Sequence, residues 1–183
     1  DAKVIVAGST WETDEAFLAE MINADKTNLK FIIVPHETNP ARIGSLEKRL
    51  NKPFTRYSET QQKNSPGTTV LIIDSVGILA YLYRFAYIAY VGGGFGAGIH
   101  NILEAAAYGV PVVFGPNWGK FREARDLIES SAVFSFNSNS EFLECINDLL
   151  RYEDLQHRSG ELAREYVSKN QGATDKIISH IHG

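Results

Sequence analysis

The stretch AYIAYVGGGFGAGIHNILEAAAYGVPVVFG, residues 86–115, reads as strand, glycine turn, helix and strand in succession. Ala86–Val91 is an apolar run of strand length, Asn101–Tyr108 has helical spacing, and Val110–Phe114 is a second β-branched run. Two strands joined through a helix are parallel neighbours, because a hairpin cannot join them. The same alternation continues outward in both directions. Toward the N-terminus, strands are predicted at Lys3–Gly8, Leu29–Pro35, Phe54–Tyr57 and Thr69–Asp74, with helices at Thr13–Ala24, Pro40–Leu50 and Ile78–Arg84. Toward the C-terminus follow a helix at Phe121–Glu129, a strand at Ala132–Phe136, and helices at Ser140–Arg151, Glu153–Ser168 and Thr174–His182. Ser58–Thr68, with the turn Pro66-Gly67, is the loosest internal stretch. Strands that are apolar throughout are covered on both faces, so the expected fold is α/β, a Rossmann-like doubly wound parallel sheet.

Composition narrows the function classes. The 183 residues carry 18 Lys plus Arg against 22 Asp plus Glu, a net charge of −4, which argues against general nucleic-acid binding. A chain of this length buries about 70% of its unfolded surface, enough for one core. A single cysteine, Cys145, excludes an intrachain disulfide and a cysteine-rich zinc site, and it falls on an apolar helix face where an inert core role is expected. The longest apolar run, Ile78–Val91, is interrupted by Arg84 and is shorter than the ~18 residues of a membrane span. No signal peptide is visible, and the opening without Met suggests a piece of something longer.

Ligands of such sheets bind beyond the carboxyl ends of the strands, so the turns that follow the strands hold the candidates. Gly92 to Gly98 packs five glycines into seven positions. Their open amides, followed by a helix, favour phosphate or sugar, while a tight turn needing positive φ is the plainer explanation. Gly92-x-Gly94-x-x-Ala97 also fits a dinucleotide fingerprint, but it follows the fifth strand rather than the first and lacks the acid on the next strand, which excludes NAD. Asn101-Ile102-Leu103-Glu104 fits a capping box and equally a carboxylate that holds ribose hydroxyls. Ser9 and Thr10, ahead of Glu12, Asp14 and Glu15, read as a helix cap, with anion contact as the alternative. The five histidines show no metal-ligand spacing and no G-x-S-x-G elbow is present, so neither a metal site nor hydrolase chemistry is predicted.

Taken together, GSTWETDE at 8–15, VPHE at 34–37 with Arg42 after it, IDSVGIL at 73–79, VGGGF at 91–95, HNILE at 100–104, GVPVVFGP at 109–116 and NQGA at 170–173 form a resemblance. In order and along nearly the whole chain, they resemble the C-terminal half of GT-B glycosyltransferases. Within these, they are most similar to the 3-deoxy-D-manno-octulosonic acid (Kdo) transferases of lipopolysaccharide synthesis. The resemblance implies one donor-binding domain over residues 1–183, with the acceptor domain and its catalytic base lying N-terminal and outside this chain.

It implies contacts to CMP-Kdo at Ser9, Thr10, Pro35, His36, Val76, Gly77, Ile78, Gly93, Gly94, Asn101, Ile102, Leu103 and Glu104, with no catalytic residue, metal or cofactor among them. The implied acceptor is a lipid A precursor at the cytoplasmic face of the bacterial inner membrane, reached through the other domain. The chain alone is expected to be a soluble, inactive half. Helix N-termini after Gly8 and Gly98 are expected to meet the charge of the leaving group. The chain differs from the family pattern in carrying Trp11 where His is usual, and Pro35-His36-Glu37 where Pro-Arg-His is usual; Arg42, Lys120 or Arg122 are the candidates to replace that Arg. A UDP-sugar-dependent GT-B enzyme and a non-enzymatic Rossmann-like module are the alternatives.

Overall fold

The computed structural model describes residues 2–60 and 67–172. Seven strands form one sheet: β1 Val4–Thr10, β2 Lys30–Pro35, β3 Phe54–Arg56, β4 Val70–Ile72, β5 Ile88–Val91, β6 Val112–Phe114 and β7 Val133–Ser135. Their order is β3-β4-β2-β1-β5-β6-β7, and every pairing is parallel. The helices are α1 Glu12–Ala24, α2 Pro40–Glu47, α3 Leu79–Leu82, α4 Leu103–Ala106, α5 Arg122–Glu129, α6 Asn139–Arg151 and α7 Glu153–Lys169.

The alternation of side chains along each strand sorts the core into two layers. Ile5, Ala7, Ile88, Tyr90 and Val113 face one way, onto Leu18 and Ile22 of α1, Ile43 and Leu46 of α2, and Phe142, Ile146 and Leu149 of α6. Val6, Ala89, Val91, Val112 and Phe114 face the other way, onto Ala105 and Ala106 of α4, Ala124 and Leu127 of α5, and Ala163 of α7. Cys145 is half-buried against the first layer, and burial pushes its thiol up to about 12, as an inert core position requires.

Three helices are clearly shorter than their spacing predicts, and of these α2 ends at Glu47 rather than Leu50. The pattern over Ile78–Arg84 resolves into α3 and a 3-10 turn, Tyr83–Phe85. The pattern over Asn101–Tyr108 resolves into the four residues of α4, because the Asn101 side chain accepts from Leu103 N at 3.0 Å and Gly109, at φ 71°, ends the helix. The expected helix Thr174–His182, with Ile177, Ile178 and Ile181, lies outside the described residues, as do Ala173 of the NQGA piece and residues 61–66.

Candidate functional site

The chain leaves β1 toward β2 on one side of the sheet, and leaves β5 toward β6 on the other. Gly8 pairs with Val91 at the carboxyl ends of these two strands, so the connections diverge there and open a crevice. The floor is tightly built. A Cβ on Gly8 would stand 2.1 Å from the Tyr83 hydroxyl and 2.6 Å from Leu79, so the turn at 76–78 is held over the end of β1 by the helix it leads into. Next to it Ser9 adopts φ 52°, a left-handed conformation uncommon outside glycine, at a break in the β1–β2 register.

The glycine turn owes much of its composition to close backbone packing. A Cβ on Gly92 would lie 2.3 Å from the Ser9 carbonyl oxygen, and one on Gly94 would lie 2.6 Å from the Gly115 Cα. Gly93 has φ 92° and Gly98 φ 142°. Only Gly96 is roomy, its nearest neighbour being 3.6 Å from an added Cβ. Four of the five glycines therefore have a steric reason, and the count alone no longer argues for phosphate. The amides argue better. Gly93 N–H donates to Asp14 at 3.0 Å and Gly96 N–H to the Gly93 carbonyl at 2.9 Å, while among the described residues those of Gly94, Phe95, Ala97 and Gly98 meet no protein acceptor. Beside them is a cleft of about 360 Å3, walled by Trp11, Thr13, Phe95, Ala97 and His100.

The start of α1 is occupied by its own acids. Asp14, buried, accepts from Trp11 N at 2.8 Å, from Gly93 N at 3.0 Å and from the Tyr90 hydroxyl at 2.6 Å. It thereby ties helix, strand and glycine turn together. Glu15, with no solvent exposure, accepts from the Thr10 hydroxyl at 2.9 Å and lies 2.7 Å from Arg42 Nη2, an ion contact without a well-directed hydrogen bond. Burial pushes the Glu15 carboxyl up to about 7, against the lowering pull of Arg42 and Thr10.

Sequence gives these acids only a local role at the helix start, while their contacts to Tyr90, Gly93, Thr10 and Arg42 arise from tertiary packing. They also correct the helix-terminus expectation. Three acids already answer the positive end of α1, and α4 is a four-residue helix starting at Leu103 rather than directly after Gly98.

Of the predicted site residues, Ser9, Pro35, His36, Gly93, Gly94 and the 101–104 segment are brought to this one edge. His36 follows the last residue of β2 and donates its backbone N–H to the Thr10 carbonyl at 2.9 Å. Val76 and Gly77 are exposed and Ile78 half-buried. Asn101 donates through Nδ2 to Glu104 Oε1 at 3.1 Å, so Glu104 meets the Asn101 side chain and not its backbone N–H, a partial form of the capping box. Thr10 and Ile102 are fully buried, and their carbonyls already accept from His36 N and Ala106 N.

Trp11, His36 and His100 form a ring cluster at the mouth, with Trp11 Nε1–H donating to His100 Nε2 at 3.1 Å. Of the proposed cations, Arg42 is buried against Glu15, and Arg122 is 91% exposed on α5 beside Asp126. Lys120 is exposed and lines a neighbouring hollow with Gly96, Ala97 and Asn117. Among the described residues no helix is long and apolar enough to cross a membrane.

No protein-family model matches the chain. Curated relatives do. The 3-deoxy-D-manno-octulosonic acid transferase of Haemophilus influenzae is 30% identical over 187 residues, covering 97% of this chain and 43% of that protein. The enzyme of the same name from Aquifex aeolicus is 31% identical over 173 residues, covering 90% of this chain and 48% of that protein. The chain therefore spans less than half the length of either, and the match falls on their C-terminal part. Among solved structures, the C-terminal CMP-Kdo binding domain of WaaA from Acinetobacter baumannii superposes with a TM-score of 0.76 at 27% identity, covering 90% of this chain and 88% of that one. The architecture, an all-parallel seven-stranded sheet with flanking helices, matches the Rossmann-like domains of GT-B glycosyltransferases.

Proposed function

We propose that this chain, a relative of the C-terminal half of Kdo transferases, is the donor-binding half of such an enzyme and holds CMP-Kdo in the crevice between β1 and β5. The observation that carries this reading is the end-to-end match to a domain described as CMP-Kdo binding, in a fold whose strands part where a nucleotide fits. In the whole enzyme a hydroxyl of a lipid A precursor attacks the anomeric carbon of Kdo. The bond from that carbon to the phosphate oxygen breaks, and CMP leaves with inversion. The base, the acceptor site and the contact with the inner membrane belong to the part of the enzyme that this chain does not span.

The role of this half is to orient the donor and stabilise the departing phosphate. Glu104, braced by Asn101, accepts from the ribose hydroxyls; His36, Ser9 and the turn at 76–78 border the nucleotide. The free amides of Gly94, Phe95, Ala97 and Gly98 supply preorganised donors for the leaving group, in place of the helix ends expected from sequence. Thr10, Gly93, Ile102 and Leu103 contribute shape more than side-chain contact, since the Thr10 hydroxyl and the Gly93 amide already have partners.

Titration of the chain with CMP, UDP, ADP and NAD tests the assignment. CMP is expected to bind tightest, and equal or absent binding to all four overturns it. Glu104→Ala is expected to lose on the order of 1.5–3 kcal/mol of CMP affinity with its melting temperature kept. Unchanged affinity with lowered stability would return Glu104 to a purely capping role.

A further inference from the structure

An open amide serves an anion only if it points at it, and a glycine-rich turn has few side chains of its own to fix that direction. The fixing comes from outside the turn. The loop 115–121, between β6 and α5, runs alongside it. A Cβ on Gly94 would stand 2.6 Å from the Gly115 Cα, and one on Gly98 would stand 2.9 Å from the Phe121 ring. Asn117, in the middle of this loop, meets the turn at three points. Its backbone N–H donates to the Gly94 carbonyl at 2.9 Å, and its side-chain Nδ2 donates to the Gly96 carbonyl at 2.9 Å. Its own carbonyl accepts from Ile99 N at 3.4 Å.

Peptide planarity turns these bonds into an orientation. In a trans peptide unit the C=O of one residue and the N–H of the next lie in one plane and point opposite ways. The peptide bonds of the turn are trans. Holding the Gly94 carbonyl toward Asn117 therefore sends the Phe95 N–H away from it, and holding the Gly96 carbonyl does the same for the Ala97 N–H. Both N–H groups are among those that meet no acceptor among the described residues. On the far side lies the cleft of about 360 Å3. Phe95, Gly96 and Ala97 line it, and among the described residues none of the loop 115–121 does. Asn117 instead lines the neighbouring hollow, with Gly96 and Ala97 as the ridge between the two. The turn is thus a partition, its carbonyls tied down on one side and two amides aimed into the cleft on the other.

Resting on the donor-site reading above, we propose that Asn117 is a positioning residue for the leaving phosphate. It touches no ligand itself; through the Gly94 and Gly96 carbonyls it aims the amides of Phe95 and Ala97 at a phosphate oxygen in the cleft. Backbone donors held in place before the charge arrives cost no reorganisation when it develops. The two peptide units are not equally secured. Gly94 is wedged against Gly115, whereas Gly96 has open space around it, so the bond from Asn117 Nδ2 is what keeps the 96–97 peptide from turning over. Loss of that side chain releases the Ala97 amide from the cleft and leaves the backbone bond to Gly94 in place.

The test is calorimetric titration of the chain with CMP and with cytidine, which shares base and ribose but has no phosphate. Asn117→Ala is expected to bind CMP about tenfold more weakly than the parent, the scale of one hydrogen bond to a charged acceptor, with cytidine affinity unchanged. Asn117→His, whose Nδ1–H stands at the same place along the side chain, is expected to restore CMP affinity. CMP affinity that Asn117→Ala leaves alone overturns the inference and leaves the donor assignment standing. So does a loss that cytidine shares equally, or one that Asn117→His does not reverse. Amide-proton NMR of the parent adds a readout that needs no variant. CMP, and not cytidine, is expected to move the Phe95 and Ala97 N–H signals downfield, and signals that stay put while CMP binds overturn the inference alone. No binding of either ligand by the parent overturns the donor assignment itself, and the inference with it.

Discussion

A carboxyl with no contact to water, such as Glu15, is stable only if its environment replaces what water supplied. Thr10 donates a hydrogen bond and Arg42 brings a charge, yet desolvation still raises the group from 4.5 to about 7. A folded-state pKa above the unfolded one means the native chain binds the extra proton, so this contribution is full below about pH 4.5 and is lost as pH rises through about 7. Glu15→Gln removes the titration. Its melting temperature relative to the parent is expected to rise between pH 5 and pH 8, and a difference that is flat with pH would show that Glu15 does not titrate there. Sequence signalled neither the burial nor the pairing. Thr10, Glu15 and Arg42 come from a strand end, a helix start and a second helix, and only the tertiary packing brings them together.

At the scale of elements, the glycine turn shows how one pattern serves two purposes. Its presence after β5, and its place at a ligand-facing edge, were legible because strand and glycine run occur in direct succession. Its division of labour was not, because the neighbours that forbid side chains, Ser9 and Gly115, are remote in sequence. Gly94→Ala puts a methyl 2.6 Å from the Gly115 Cα, backbone that cannot rotate away. Its expected cost is about 1–3 kcal/mol in denaturant unfolding. Gly96→Ala, with open space around it, is expected to stay within about 0.5 kcal/mol of the parent. Equal effects at the two positions would deny the packing account. The helices diverged from expectation for a related reason. The apolar spacing of Ile78–Arg84 and Asn101–Tyr108 records which side chains are buried, whereas the 3-10 turn and the Asn101 bond determine how many residues are helical.

For the molecule as a whole, the alternation of strands and helices was enough to read a doubly wound parallel sheet, because a fully covered strand and an amphipathic helix leave different periods in the sequence. The strand order carries no local signature, and with it went the position of the crevice between β1 and β5. The chain spans less than half the length of its relatives, and on the proposed reading the acceptor site and the base lie in the remainder. The chain by itself is therefore expected to bind CMP while transferring no Kdo to a lipid acceptor in a coupled assay, and transfer to that acceptor by the chain alone would contradict this division. The same sheet ends on both sides in strands of three residues, β3 and β7. So short a margin gives a stray chain few backbone groups to zip onto, and concentrated solutions of the protein should accordingly resist growth into fibrils.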